Sequence, residues 1–129
     1  MQLRYTIIYV ADVRAALAFY ERAFGLATRF VTEGGEFGEL ETGGTALSFV
    51  QFETARASLG GDFRPLNAES LPAGIEIGFT CADVPAAYAR AVEAGATPVT
   101  PPVQKPWGQL ISYVRAPEGT LVEICSSMD

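Results

Sequence analysis

The sequence contains no histidine and only two cysteines. Without an imidazole, the chain cannot supply the ligand that most often holds zinc, nickel or iron, nor form a Ser-His-Asp or Cys-His catalytic group. Cys81 and Cys125 are too few for a disulfide framework. We therefore expect two reduced thiols in a cytoplasmic protein.

Basic residues and long apolar runs are also scarce. The nine lysines and arginines are scattered among fifteen acidic residues, and the formal net charge of -6 argues against nucleic acid as a partner. No apolar run approaches membrane-spanning length, and the N-terminus passes into an alternating strand without a signal peptide. With 49% hydrophobic residues, the 129-residue chain is expected to be globular and cytoplasmic, without a membrane partner.

The first half of the chain predicts a strand, a helix and three more strands. Tyr5 to Val10 is dominated by β-branched and aromatic residues and is predicted to be a central strand. Asp12 is placed as an N-cap before apolar residues at helical spacing, and Gly25 as the C-cap. Three short strands with turn signals between them follow, at residues 28–32, 37–41 and 45–52.

The same pattern begins again after an aperiodic stretch. Residues 54–73 have no helical or strand period, and they are expected to form either a linker or a lid. Asp83 caps the second predicted helix, and the segment from Pro101 to Gly108 is predicted to be a rigid loop. The predicted strands of this half lie at residues 75–80, 97–100, 110–115 and 120–125.

The two halves align residue by residue. Tyr5 lies over Glu76, and Ser48 lies over Glu123, so each half is one β-α-β-β-β module, at about 1–53 and about 74–129. Because one helix covers only one face of four strands, each module buries too little surface alone. The modules are expected to pair, with their open sheet faces curling around a shared cup.

Several short motifs of this repeat are shared with a known group of proteins. They are Asp12-Val13, Phe19-Tyr20-Glu21, Phe24-Gly25, Pro106-Trp107-Gly108, Pro117-Glu118-Gly119 and Val122-Glu123-Ile124. Through them the sequence resembles the vicinal oxygen chelate superfamily, the glyoxalase, bleomycin-resistance and extradiol-dioxygenase group, over nearly its whole length. The resemblance implies a single α+β domain, 1–129, with two βαβββ modules forming a curved mixed sheet around a cup. It also implies a homodimer.

The resemblance further implies where a metal would bind. Metal-dependent members take four ligands from the first and last strands of each module, and those positions here are Tyr5, Ser48, Glu76 and Glu123. Only Glu123 keeps the acidic ligand of the family. Oxygen donors alone favour hard cations, and two carboxylates hold them weakly. We therefore expect no metal at these degenerate positions and no cofactor, with weakly bound Mg or Mn as the alternative.

Strand alternation assigns the side chains of the cup. Aromatic and apolar walls with a few polar groups are typical of a small-molecule pocket. Trp107 either stacks on a ligand or plugs its loop, and the face of Tyr113 stays open, because a bulge at Gly119 would shift the register. The predicted ligand-binding residues are Tyr5, Tyr9, Ser48, Phe52, Trp107 and Tyr113.

Two functional hypotheses follow. In the first, a protein similar to the bleomycin-resistance branch binds a small aromatic or cationic molecule in the cup, without a histidine-ligated metal. In the second, Glu123 and Glu76 are expected to approach each other across the pseudo-twofold of the two modules, as catalytic acid and base of a glyoxalase-type lyase or isomerase, with or without a weakly held divalent ion. The sequence leaves open whether the protein is an enzyme.

Overall fold

The computed structural model describes residues 1–128, which form two compact units. The first unit contains Met1–Glu21 and Gly25–Pro65. The second contains Arg22–Phe24 and the residues from Leu66 onward. The predicted linker or lid is thus divided between the units.

The first unit has the predicted strand, helix and three strands. Asp12 caps α1 by accepting a hydrogen bond from the Ala15 amide at 3.0 Å, and Gly25 ends it in the left-handed conformation, with φ of 69°. Both predicted caps are confirmed. The elements are β1 (Tyr5–Val10), α1 (Val13–Phe24), β2 (Thr28–Val31), β3 (Phe37–Leu40), β4 (Ala46–Gln51) and α2 (Phe52–Leu59).

The sheet of this unit has the strand order β1-β4-β3-β2, with β1 parallel to β4 and the other pairs antiparallel. Helix α1 covers one face: the rings of Tyr20 and Phe49 lie 5.0 Å apart. The helix comes so close that a β-carbon at Gly38 would lie 2.6 Å from Leu17 Cδ1. Because side chains alternate along a strand, Tyr5, Ile7 and the residues paired with them lie on the other face.

The second unit repeats this topology with the strand order β5-β8-β7-β6. Glu76 pairs with Leu121 as Tyr5 pairs with Ala46, so the strand registers agree with the alignment of the two halves. The predicted reversal before β8 is closed by a hydrogen bond from the Gly119 amide to the Ala116 carbonyl at 2.9 Å. The elements are β5 (Glu76–Thr80), α3 (Val84–Glu93), β6 (Thr97–Gln104), β7 (Leu110–Arg115) and β8 (Leu121–Cys125).

Two segments differ from the prediction. The stretch that was expected to lack regular structure begins with α2, which follows β4 directly and is capped by the side chain of Gln51. Strand β6 continues through Pro101 and Pro102 to Gln104, where a rigid loop was predicted. Proline is tolerated there because β6 is the edge of its sheet, and its register shifts twice along β7.

Candidate functional site

The open face of the first sheet holds a cavity of about 440 Å³. Its apolar wall consists of Tyr5 and Ile7 from β1, Phe30 from β2 and Phe37 from β3. The Phe30 and Phe37 rings stack with their centroids 5.7 Å apart and their planes at 29°. Tyr5, Ile7 and Phe30 all remain exposed. The sheet therefore presents aromatic surface that nothing in its own unit covers.

The polar wall of the cavity contains a buried carboxylate. Glu39, on β3, is only 4% exposed. Its Oε1 accepts a hydrogen bond from the Ser48 hydroxyl at 3.1 Å, and its Oε2 accepts one from Arg29 Nη1 at 3.0 Å. Both oxygens are therefore occupied, and the charge is neutralised within the wall.

Arg29 reaches the cavity because β2 is irregular. Thr28 pairs with Leu40, and Phe30 pairs with Glu39. Between these two pairs β2 advances by two residues while β3 advances by one, so the register shifts at Arg29. A bulge of this kind redirects a side chain, and both Arg29 and Phe30 line the cavity as a result. Glu41 also lies near the guanidinium, 3.9 Å from its Nε.

Arg4 is the second cation of this wall. It lies over the Tyr5 ring, 5.7 Å from the centroid, and donates one hydrogen bond from Nη1 to the Gly44 carbonyl at 2.9 Å. Among the described residues, no carboxylate oxygen lies within 4.0 Å of this guanidinium. The remaining N–H groups of Arg4 are free to donate hydrogen bonds to a ligand on the exposed side.

Tyr9 and Phe52, which were also predicted to bind ligand, lie in a separate aromatic cluster of the first unit. The Phe63 ring lies 4.8 Å from Tyr9 and 5.5 Å from Phe52. Arg56 lies over the Phe63 ring at 4.9 Å and is paired with Asp62 at 2.9 Å. These contacts anchor the segment after β4 onto β1.

Glu76 and Glu123 do lie close together, but within one sheet of the second unit and not across the two modules as expected, because both residues belong to that unit. Glu76 lies at the start of β5, and Gly78 stands directly across from Glu123 on β8. The Glu76 carboxyl reaches Glu123 and acts as the donor in a hydrogen bond between them. Tyr113, on β7, lies on the same face and donates from its hydroxyl to Glu123 Oε1 at 3.1 Å.

The electrostatics of this cluster separate the two carboxyl groups. Burial, and then the hydrogen bond and negative charge of Glu123, raise the pKa of Glu76. Burial also raises the pKa of Glu123, but hydrogen bonds from Cys125, Glu76 and Tyr113 outweigh it, and the net pKa is lowered. When the pair carries one proton, Glu76 is therefore the carboxyl that holds it and Glu123 the one that is ionised.

The neighbours of Glu123 are kept neutral by the same effects. Burial, followed by the hydrogen bond and charge of Glu123, raises the pKa of Tyr113 to about 12. Burial and Glu123 likewise raise the pKa of Cys125 to about 11. The charge of Lys105 also helps to keep Glu123 ionised.

Trp107 lies exposed on its loop. Its side chain is 62% exposed, and its indole N–H donates to Gln109 Oε1 at 2.9 Å within its own loop. The loop is thus not plugged by this ring. A role in stacking on a ligand stays a prediction.

The four degenerate metal positions divide between the units. Tyr5 and Ser48 belong to the first unit, and Glu76 and Glu123 to the second. Within residues 1–128, no three His, Cys, Asp or Glu side chains are grouped to hold a metal ion. The donors of each unit do not fit the two-histidine, two-glutamate set that the resemblance implies.

Sequence analysis missed the polar wall of the cavity. Glu39 is on a predicted strand, but no role was assigned to it. By register, Glu39 stands beside Ser48 as Tyr113 stands beside Glu123. Comparing the third strands of the two halves could therefore have identified it, whereas nothing in the sequence indicates the bulge that turns Arg29 inward.

The two β-α-β-β-β units, each with a four-stranded mixed sheet, define the glyoxalase class of α+β fold, as predicted. A sequence model of the Glyoxalase/Bleomycin resistance protein/Dioxygenase superfamily matches residues 2–124. The chain belongs to this superfamily. None of the curated proteins matches the sequence.

Solved structures show the same fold at low sequence identity. A glyoxalase-related enzyme from Fulvimarina pelagi is 22% identical, with a TM-score of 0.85, over 98% of this chain and 88% of that one. A glyoxalase/bleomycin resistance protein/dioxygenase family enzyme from Burkholderia phytofirmans PsJN is 21% identical, with a TM-score of 0.76, over 98% of both chains. A superfamily member from Sphaerobacter thermophilus DSM 20745 is 21% identical, with a TM-score of 0.74, over 98% of both chains.

No helix between residues 1 and 128 has the length and apolar character needed to cross a membrane.

Proposed function

We propose that this protein binds a small molecule on the open face of its first sheet, without a histidine-ligated metal. The observation that carries this proposal is the cavity of about 440 Å³ with its exposed aromatic wall. Pockets for small ligands fall in the range of about 300 to 1,000 Å³ and combine apolar walls with a few polar groups. The chain has no imidazole to offer a metal.

Chemical-shift mapping tests this proposal. We expect naphthalene-based probes to perturb the amides around Tyr5, Ile7 and Phe37. Phe37→Leu removes one ring of the wall and is expected to weaken binding about tenfold, in line with the cost of losing an aromatic contact. The matched control is Phe79→Leu, in β5. Perturbation confined to other residues, or equal loss in both variants, would contradict the proposal.

A second candidate function rests on Glu76 and Glu123. Two carboxyl groups whose environments separate their pKa values are suited to general acid and base catalysis. In a lyase or isomerase reaction next to a carbonyl, ionised Glu123 would take the proton from carbon. Protonated Glu76 would give its proton to the carbonyl oxygen, which leaves an enol.

The test of this candidate is Glu123→Gln. If Glu123 is the base, this variant should still bind the reacting molecule but lose turnover by at least about a hundredfold. Glu118→Gln, on the adjacent turn, is the control for loss of a carboxylate. Unchanged turnover in Glu123→Gln would exclude the mechanism.

Two further features of the proposal concern assembly and location. We propose a homodimer, so light scattering should give twice the chain mass of 13.8 kDa. We also propose a cytoplasmic location, which agrees with the free thiols of Cys81 and Cys125. A mass of one chain, or a disulfide in the protein isolated without reductant, would contradict these expectations.

A further inference from the structure

We infer that the cavity of the first unit selects flat aromatic molecules that carry a single negative charge, of which aromatic carboxylates are the simplest. This inference rests on the proposed binding function and gives it a ligand class. Of the aromatic or cationic molecule expected from the sequence, it keeps the aromatic alternative and excludes the cationic one.

The first step of the argument is the state of Glu39, the one carboxylate that the described residues contribute to the lining. Glu39 is buried, and its two oxygens are occupied by Ser48 and Arg29. A cationic ligand could pair with Glu39 only by displacing Arg29. That exchange would break an ion pair in the wall and leave the guanidinium to find another partner.

The second step is the charge that remains. Arg29 is compensated by Glu39 at 3.0 Å and has Glu41 at 3.9 Å. Arg4 has no such carboxylate among the described residues, and its one polar contact here is to the Gly44 carbonyl. The uncompensated charge of the lining is therefore positive, although the chain as a whole carries -6.

The third step is the shape of the wall. Arg4 lies over the Tyr5 ring, and the stacked rings of Phe30 and Phe37 belong to the same cavity. A planar apolar body would cover these rings while its carboxylate reached the forked N–H groups of Arg4. A guanidinium suits this task because it can bind both carboxylate oxygens at once.

Three probes of one shape test the inference: 2-naphthoate, 2-naphthamide and 2-naphthylmethylammonium, which are anionic, neutral and cationic. Calorimetry should show naphthoate binding about fivefold more tightly than naphthamide, the range of a partly exposed ion pair. The cation should bind most weakly. In molar sodium chloride the preference should shrink, because salt screens exposed charges.

Two arginine variants test whether Arg4 is the source of the preference for naphthoate. Arg4→Gln should abolish the preference for naphthoate while naphthamide binds as before. Arg64→Gln, an exposed arginine of the same unit outside the lining, changes the net charge equally and should leave the preference intact. An equal loss in both variants would overturn the inference, since it would reflect net charge alone.

The remaining outcomes separate the two proposals. Equal binding of all three probes at the cavity would overturn the charge selectivity and leave the proposed binding function standing. A preference for the ammonium probe would also overturn the charge selectivity and leave the proposed binding function standing. Failure of every probe to perturb the cavity residues in the chemical-shift experiment would overturn both.

Discussion

Glu76, on the first strand of its sheet, donates a hydrogen bond from its carboxyl group to the carboxylate of Glu123 on the last strand. The two residues are 47 positions apart, and the parallel pairing of β5 with β8 brings them together. Their relationship makes stability and reactivity in the second unit depend on pH.

Glu76→Gln is expected to stabilise the protein at alkaline pH. Because the pKa of Glu76 is raised in the folded state, its favourable contribution is present below the unfolded pKa and is lost as pH rises through the folded value. Glutamine keeps a donor for Glu123 and has no proton to lose. Since Glu76 is buried only slightly and most of the residue is exposed to solvent, we expect a gain of only some tenths of a kcal/mol.

Urea unfolding checks this at about pH 4, near the ordinary pKa of a glutamate, and at about pH 8, well above it. The difference in the free energy of unfolding between the variant and the native protein should be larger at pH 8 than at pH 4. Glu69→Gln, at an exposed site of the same unit, serves as the control. A difference that does not change with pH would show that the two carboxyl groups are not coupled.

Cys125 should react slowly with iodoacetamide, and Glu123 should be part of the reason. Its pKa of about 11, raised by burial and then by Glu123, leaves little thiolate at neutral pH. In a Cys81→Ser background, where Cys125 is the remaining thiol of the sequence, the rate of its alkylation should increase as the pH rises toward the pKa of Cys125. Adding Glu123→Gln removes the neighbouring charge and should move this pH-rate profile to lower pH, and an unmoved profile would assign the shift to burial alone.

Gly119→Ala should destabilise the second unit strongly. The residue has φ of +107°, and a β-carbon there would lie 2.9 Å from the backbone nitrogen of Asn67. The backbone strain alone costs about 1 to 2 kcal/mol, and the steric clash adds to it. Gly108→Ala, at φ of +99° with no atom in the way, should show the strain without the clash. Equal losses in thermal denaturation would contradict this explanation.

Arg115→Lys should loosen the segment around Asn67 and Ser70, which Arg115 holds against the β7–β8 hairpin. The buried guanidinium donates to the carbonyls of Asn67 at 2.9 Å, Ser70 at 3.0 Å and Gly119 at 3.0 Å. A lysine ammonium cannot reach three carbonyls in this arrangement, so we expect a loss of about 1 to 3 kcal/mol. Hydrogen exchange should accelerate around Asn67 and Ser70 and remain slow in α3, whereas unchanged exchange would rule out this anchoring role.

The order of elements and the faces of the strands could be predicted from the sequence because they depend on local patterns. Alternation in β1 and β8 assigned Tyr5 and Glu123 to the open faces, and the aspartate caps marked the starts of α1 and α3. The internal alignment placed Glu76 on the first strand and Glu123 on the last strand of the second half, and the pairing of those strands with each other brings the two residues together. Each of these signals either lies within a stretch of about ten residues or occurs in both halves of the sequence.

What could not be predicted depends on neighbours distant in sequence or on exceptions to local rules. Helix α2 begins directly after β4 without a turn residue, and only Ala55 in it is buried, so it has no apolar stripe to detect. Strand β6 contains three prolines, which ordinarily argue against a strand. The bulge at Arg29 depends on the pairing of β2 with β3.

The strand order also bears on synthesis of the protein at the ribosome. In the described sheets, β1 has β4 as its one neighbour, and β5 has β8. The first strand of each unit must therefore remain unpaired until the last strand of that unit has been translated. A nascent chain that ends before Leu121 would expose β5 without its partner, so the second sheet can close only after β8 has left the exit tunnel.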